Sequence, residues 1–223
     1  DQFHRRAFLA TFPRSSQPPT EHDSARKKRP AGFQSRVQAK MMRGAVRLVG
    51  VDPDNIIRGL GPSGMARFSF NDDAVVKACI PAANGMFTAR SLARLYAVMA
   101  NEGELDGVRL MSSQRVRDIS RIQSRRIDQV VPIPMHWRLG YHRVFTMGPR
   151  TPNAFGHFGF MGSGAWCDPS RHLAVGFVVN SSGGSTPFGD GRITRINTQA
   201  IRSAEKVEGL KPSPVGVAAL FRR

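Results

Sequence analysis

The chain has 223 residues, 40% of them apolar, enough for one substantial core with a flanking segment. Its formal net charge is +17 and only six of its 33 basic residues are lysine, a balance that attracts anionic partners. No zinc-finger spacing, RNA-binding aromatic motif or basic heptad array accompanies that charge, so no nucleic-acid partner is expected, and the longest apolar runs fall far short of the ~20 residues of a membrane span.

Residues 1–50 hold 11 Lys/Arg against three Asp/Glu, contain Pro and Ser, and show weak periodicity. They are expected to form a basic, weakly ordered segment. Within it "HRRAFLA", His4 to Ala10, has the look of a twin-arginine export signal. Such a signal continues into an apolar stretch of roughly 7–15 residues. Here the continuation is polar and proline-rich, so the arginine pair reads as chance and the compartment reading leans to the cytoplasm.

Residues 51–209 are expected to form the folded part, and 210–223 a Pro/Gly-punctuated tail. After "DPDNIIRGL" and the loop "ACIPAANGMF", Thr88 is placed to cap a helix, "ARSLARLYAVMAN", whose apolar side is Leu92, Leu95, Tyr96 and Met99. Asn101 and Gly103 stop it. "GELDGVRLMS" reads as a hairpin-like connection, and Ser112 or Ser113 as the cap of a second helix carrying Val116, Ile119 and Ile122. A strand is expected from about Trp137 to Phe145. Then comes "AFGHFGFMGSGAWCDPSRHLAVGFVVN", Ala154 to Asn180, which reads as strand, glycine turn, strand, "DPSR" turn and strand. Asp190 is placed to cap a last helix, "GRITRINTQAIRSAEKV", with Ile193, Ile196, Ala200 and Ile201 on one side. Consecutive antiparallel strands with helices to cover them indicate an α+β arrangement.

Candidate nucleophiles fail on spacing. Ser163 would need glycines where Met161 and Ala165 stand to form G-x-S-x-G, so it reads as a glycine-lined turn serine. Two S-x-x-K matches occur, and both read as coincidence. "SARK" (Ser24 to Lys27) runs into "KRP", and "SAEK" (Ser203 to Lys206) falls late in the last helix. Cys79 and Cys167 stand far apart in apolar settings and read as free thiols. His136 and His142 are six apart, while His157 and His172 each stand alone, so no metal site is expected. His157 is unusual in its neighbours. Gly156 and Gly159 thin the strand around it, an arrangement suited to a donor array beside a substrate carbonyl.

"IPAANGMFTARSLARLYAVMANEGELDGVRLMSSQRV", then "WRLGY", then "FGHFGFMGSGAWCDPSRHLAVGFVVN" resemble in order the C-terminal half of the class C β-lactamase-like serine hydrolases, a group that includes esterases and D-alanyl-D-alanine peptidases. The likeness runs from about Asn55 to Val207, some two thirds of the chain. It implies a partial β-lactamase/DD-peptidase-like fold, an antiparallel sheet flanked by helices with the N-terminal catalytic part missing. In that family the nucleophile is the serine of S-x-x-K, assisted by the tyrosine of Y-x-N, and a third motif lies on a central strand. His157-Phe158-Gly159 matches the His-x-Gly form of that third motif. The resemblance implies that His157 bonds toward substrate or the catalytic tyrosine. It also implies that Gly159 gives the substrate room and that the backbone N–H of Phe160 serves as an oxyanion donor. It calls for a small-molecule ester or amide substrate and for no cofactor.

Two departures shape the expectation. A histidine replaces the lysine of the β-lactamase third motif, which favours esters over β-lactams. No Y-x-N is present, since Tyr96 stands in "YAV" and Tyr141 in "YHR". The chain is therefore expected to lack the nucleophile and to be inactive alone; a non-catalytic binding protein of the same fold is the alternative, and a nucleic-acid binder using residues 1–50 the third. Open sheet edges should make the isolated chain poorly soluble.

Overall fold

The chain divides into two compact units, one of residues 1–86 with 126–134 and the other of residues 87–125 with 135–223. The computed structural model describes residues 33–48, 50–60, 72–81, 85–159, 162–179, 191–207 and 209. The "HRRAFLA" stretch, Ser24 with Lys27, Phe160, the expected Asp190 cap and the 210–223 tail lie outside them.

In the first unit, α1 (Phe33–Leu48), α2 (Pro53–Leu60) and the short α3 (Asp73–Lys77) follow in order. Thus α1 is a helix within the segment expected to be weakly ordered. The Asp52 carboxylate accepts the Asp54 N–H at 3.0 Å and proline sits at the first helical position, two signals that start α2. Val46 and Val51 bury themselves at the α1–α2 turn, and Arg43 pairs with Asp54 at 2.7 Å.

The second unit opens with α4 (Ala89–Ala100), capped as expected by Thr88, whose hydroxyl accepts the Ser91 N–H while Ser91 reciprocates. Its buried side is Tyr96, Val98, Met99 and Ala100, whereas Leu95 of the expected apolar side is 43% exposed. Strands β1 (Glu104–Leu105) and β2 (Val108–Arg109) form the hairpin, turning at Asp106-Gly107, both with positive φ. Then α5 (Ser113–Ser120) is capped by Ser112 and ends before Ile122.

Four antiparallel strands make the sheet in the order β3 (His142–Arg143), β4 (Phe155–Phe158), β5 (Gly164–Asp168), β6 (Leu173–Phe177). Helix α6 (Gly191–Val207) follows. The strand expected over Trp137–Phe145 shrinks to its last part. His136 and Gly140 both take positive φ, which breaks an extended run, and Arg138 turns inward to donate to the carbonyls of Ser120, His136 and Pro152.

The sheet is buried on both faces, which explains why its strands read as nearly continuous apolar runs. Ala165 and Cys167 of β5 and Phe155 of β4 pack with Tyr96, Met99, Ala100 and Val116 from the α4–α5 side. The alternate residues Trp166 and Ala154 pack with Val144 and with Ile201 of α6. Each strand thus feeds two cores with its period of two. Polar bonds fix α6 in place: Trp166 Nε1 donates to Asn197 Oδ1 at 2.8 Å, and Asn197 Nδ2 donates to the Phe145 carbonyl at 3.0 Å.

The "DPSR" turn closes with a buried charge cluster. Asp168 Oδ1 accepts from the Ser170 N–H and hydroxyl, while Arg171 bridges Asp168 at 2.6 Å and Glu205 of α6 at 2.9 Å. Both carboxylates are buried, at 0% and 3% exposure. Replacing Arg171 by Met strips them of their shared cation, and urea denaturation should register a loss of about 3–5 kcal/mol.

Candidate functional site

His157 is the third residue of β4 and pairs across the sheet with Ala165, which places it on the α4 side. Tyr96 of α4 packs beneath this part of the sheet with Phe155 and Ala165. The His157 imidazole reaches the surface. Enough of the ring is sheltered against the sheet for burial to lower its pKa, so it is neutral at pH 7 and can donate one hydrogen bond.

The two glycines around it differ in purpose. Gly156 lies opposite Trp166, and a Cβ there would sit 2.2 Å from the Ala165 carbonyl oxygen and 2.4 Å from the Trp166 Cβ. Its reason is packing. Among the described residues, a Cβ at Gly159 would meet only the Ser163 carbonyl oxygen, at 3.6 Å, which is ordinary contact. The Gly159 N–H donates to the Ser163 carbonyl at 2.8 Å and its own carbonyl accepts from Gly162 at 2.9 Å, closing a tight turn. Ser163 Oγ accepts the Val179 N–H at 3.0 Å, a structural duty. With the N–H groups of Phe158 and Gly159 both engaged, the His157 imidazole is the side-chain donor at this strand end.

The two nearby tyrosines and the buried thiol are held in their protonated states. Burial pushes the Tyr96 hydroxyl far up, with Tyr141 and Cys167 adding to it. Tyr141 is raised by burial and then by Cys167, and packs edge-on against Tyr96 and Phe155 at 6.1 and 5.4 Å. The Cys167 thiol is raised by burial and by Asp168. None of these is an activated nucleophile at neutral pH. Ser203 and Lys206 are both exposed on the last part of α6, on the water side of the helix.

His142 is the residue that the sequence reading missed. It was weighed only as a metal ligand, yet its ring centroid lies 5.2 Å from that of His157, so His157 does not stand alone. The ring is 3% exposed. Its Nδ1 is 2.8 Å from the Arg143 carbonyl, and its Nε2 accepts the Phe158 N–H at 3.1 Å. Burial lowers its pKa to about 4, offset in part by the Arg143 carbonyl and assisted by His157 and Arg138. Among the described residues no three His, Cys, Asp or Glu side chains are grouped to hold a metal.

Among the described residues, two clefts in this unit lie away from His157. One, about 240 Å³, lies among Arg94, Leu95, Val98, Leu105, Val108 and Leu110. The other, about 380 Å³, is lined in part by Met99, Val116, Ile122, Arg138, Pro152 and Ser170. The chemistry at the end of β4 is that of an open wall, and the clefts do not displace it as the candidate site, because neither gathers a donor beside a reachable strand end.

Comparison with known proteins gives the family to which this two-sided α+β sheet belongs. A profile of the Beta-lactamase family matches residues 9–199, and the chain belongs to that family. It is 42% identical over 102 residues to "Esterase/beta-lactamase LipL" of Mycobacterium tuberculosis (strain ATCC 25618 / H37Rv), a stretch covering 45% of this chain and 23% of that protein. Among solved structures it is similar to a family VIII carboxylesterase, at 31% identity and a TM-score of 0.54, over 65% of this chain and 38% of the other. A penicillin-binding protein homolog from Caulobacter crescentus also matches, at 34% identity and a TM-score of 0.47, over 52% of this chain and 32% of the other. The chain thus spans well under half the length of the relatives it matches. Among the described residues no helix is long and apolar enough to cross a membrane.

Two outcomes follow. Because folding depresses the His142 pKa from 6.5 to about 4, the unfolded state binds the proton first as pH falls. Stability should therefore be full above pH ~6.5 and decline toward pH ~4 by up to about 3 kcal/mol, a slope that His142→Gln removes in urea melts recorded across that range. Gly156→Ala should cost about 1–3 kcal/mol by overpacking against Trp166, while Gly159→Ala should change the thermal midpoint little, as calorimetry of the two variants would report.

Proposed function

We propose that this chain carries the third-motif wall of an acyl-serine hydrolase of esterase type, and that the serine, lysine and tyrosine completing the site belong to polypeptide outside it. The observation that carries this reading is the surface imidazole of His157, neutral at pH 7, two residues from a glycine at which a Cβ would meet no described atom closer than 3.6 Å. Its roles are divided. His157 donates toward the substrate carbonyl or the catalytic tyrosine. Gly159 leaves clearance for the acyl group, and the Phe160 N–H acts as oxyanion donor, a contribution worth about 10²–10³ in rate.

The substrate class follows from charge. A neutral imidazole offers a hydrogen bond without a full cation, so it holds an uncharged ester carbonyl at less loss than an anionic carboxylate such as that of a β-lactam. The names of two relatives, an esterase/beta-lactamase and a carboxylesterase, support the same class. The reaction is acyl transfer to serine oxygen and then to water, and it calls on no cofactor.

The test compares the chain alone with the chain joined to upstream polypeptide carrying S-x-x-K and Y-x-N. The purified chain should neither hydrolyse p-nitrophenyl acetate nor be labelled by a serine-directed phosphonate. The completed protein should do both, and His157→Ala in it should lower kcat/KM about 10²–10³-fold. Turnover by the chain alone, abolished by the phosphonate, would overturn the claim that the nucleophile lies elsewhere. A completed protein that binds esters without cleaving them would make this fold a binding protein.

A further inference from the structure

Strand β3 contributes only His142 and Arg143 to the ladder, opposite Gly156 and Phe155. Beyond Gly156, β4 runs on to His157 and Phe158 with no strand residue paired to it on that side. The chain that would have continued β3 backward turns away at Gly140, which takes φ +83°. The N–H of Phe158 on that edge would be left without an acceptor, and a half-buried amide in that state is costly.

The His142 side chain fills the gap. The Arg143 carbonyl can only accept, so Nδ1 holds the proton at 2.8 Å from it. The Phe158 N–H can only donate, so Nε2 is bare and accepts at 3.1 Å. Both ring nitrogens are thus committed and the tautomer is dictated by its partners. Packing restrains the ring further: Trp137 lies edge-on at 5.7 Å, Phe145 at 6.1 Å and Phe158 at 6.3 Å, with His157 at 5.2 Å.

We propose that His142 is a positioning residue of the candidate site: its bare Nε2 replaces the missing strand, pins the Phe158 amide, and so sets the height and direction of His157 and Gly159 on either side. The catalytic consequence rests on the function proposed above; the pinning itself does not. The titratable groups that bear on the ring are His157 from β4 and Arg138 from the loop before β3, and both oppose a second proton on it. Only the neutral ring can accept from Phe158, so protonation would break the pin.

The experiment has two arms. In the first, nitrogen-15 NMR of this chain should show His142 in the Nδ1–H form with an unprotonated Nε2, and should show a protected Phe158 amide. His142→Leu, which keeps bulk and loses the acceptor, should speed exchange of that amide about five- to tenfold, while His142→Gln, which offers a carbonyl, should restore protection. In the second, with the completed enzyme, His142→Leu should lower kcat at little change in KM. The acid limb of the wild-type pH–rate profile should move in His142→Gln, a response that lost packing alone would not produce. A proton on Nε2 in the wild type, or equal Phe158 protection in all three proteins, would overturn the proposal. Absence of esterase activity in the completed protein would instead overturn the function, with the NMR arm still deciding the role of His142. Should His142→Leu fail to fold, the wild-type tautomer and the His142→Gln protection decide it.

Discussion

Close backbone approach is the constraint on which the rest of the second unit depends. A Cβ on Gly176 of β6 would come within 2.2 Å of the Ala89 carbonyl oxygen and 2.8 Å of the Ala93 nitrogen, so α4 lies against the strand with no room for a side chain between them. From that contact the helix delivers Tyr96, Met99 and Ala100 to one face of the sheet, where they pack with Phe155, Ala165 and Cys167. The opposite face is then free to carry Trp166 and to receive α6. Had β6 carried even an alanine at this point, the helix would have to rise and the cluster around Phe155 would open.

Buried polar groups play a related part on the other face. The Trp166–Asn197–Phe145 chain of hydrogen bonds and the Asp168–Arg171–Glu205 cluster each join α6 to the sheet or its turn. Apolar contact alone would allow α6 to slide, since a row of Ile and Ala side chains is satisfied by several offsets. Directional bonds to Nε1 of one tryptophan and to one guanidinium admit a single register. Arg138 follows the same logic with carbonyls in place of carboxylates, stapling the end of α5 to two loop segments. Arg138 and Arg171 are therefore engaged with the fold itself.

Legibility followed locality. The Thr88 cap, the cap at Ser112 or Ser113, the hairpin within "GELDGVRLMS" and the bounds of the last helix depend on residues within a few positions of one another, and spacing alone indicated them. The shortened β3 was not legible, because its extent is set by positive φ at His136 and Gly140 and by where Arg138 finds its carbonyls. Helix α1 was passed over because net charge and proline content dominated the reading of residues 1–50. The glycines flanking His157 illustrate the limit most sharply. Both suggested clearance for a substrate, yet Gly156 is filled by Trp166, a partner ten residues on, and only Gly159 has space. Which glycine serves packing depends on register, and register is a property of the sheet.

The histidine pair shows how far one site can depend on such long-range facts. His157 could be singled out from its neighbours in sequence, but what adjoins it lies elsewhere: Ala165 across the ladder and His142 on a strand 15 positions earlier. A strand end with no partner on one side would normally fray, and a frayed end cannot aim an imidazole. Burying His142 removes its charge and so makes it an acceptor at the one place where the edge lacks one. The same burial that makes the pin effective at neutral pH makes it fail in acid. In the reading proposed above, the pin at the sheet edge and the orientation of His157 share one proton, on a ring that itself touches no substrate.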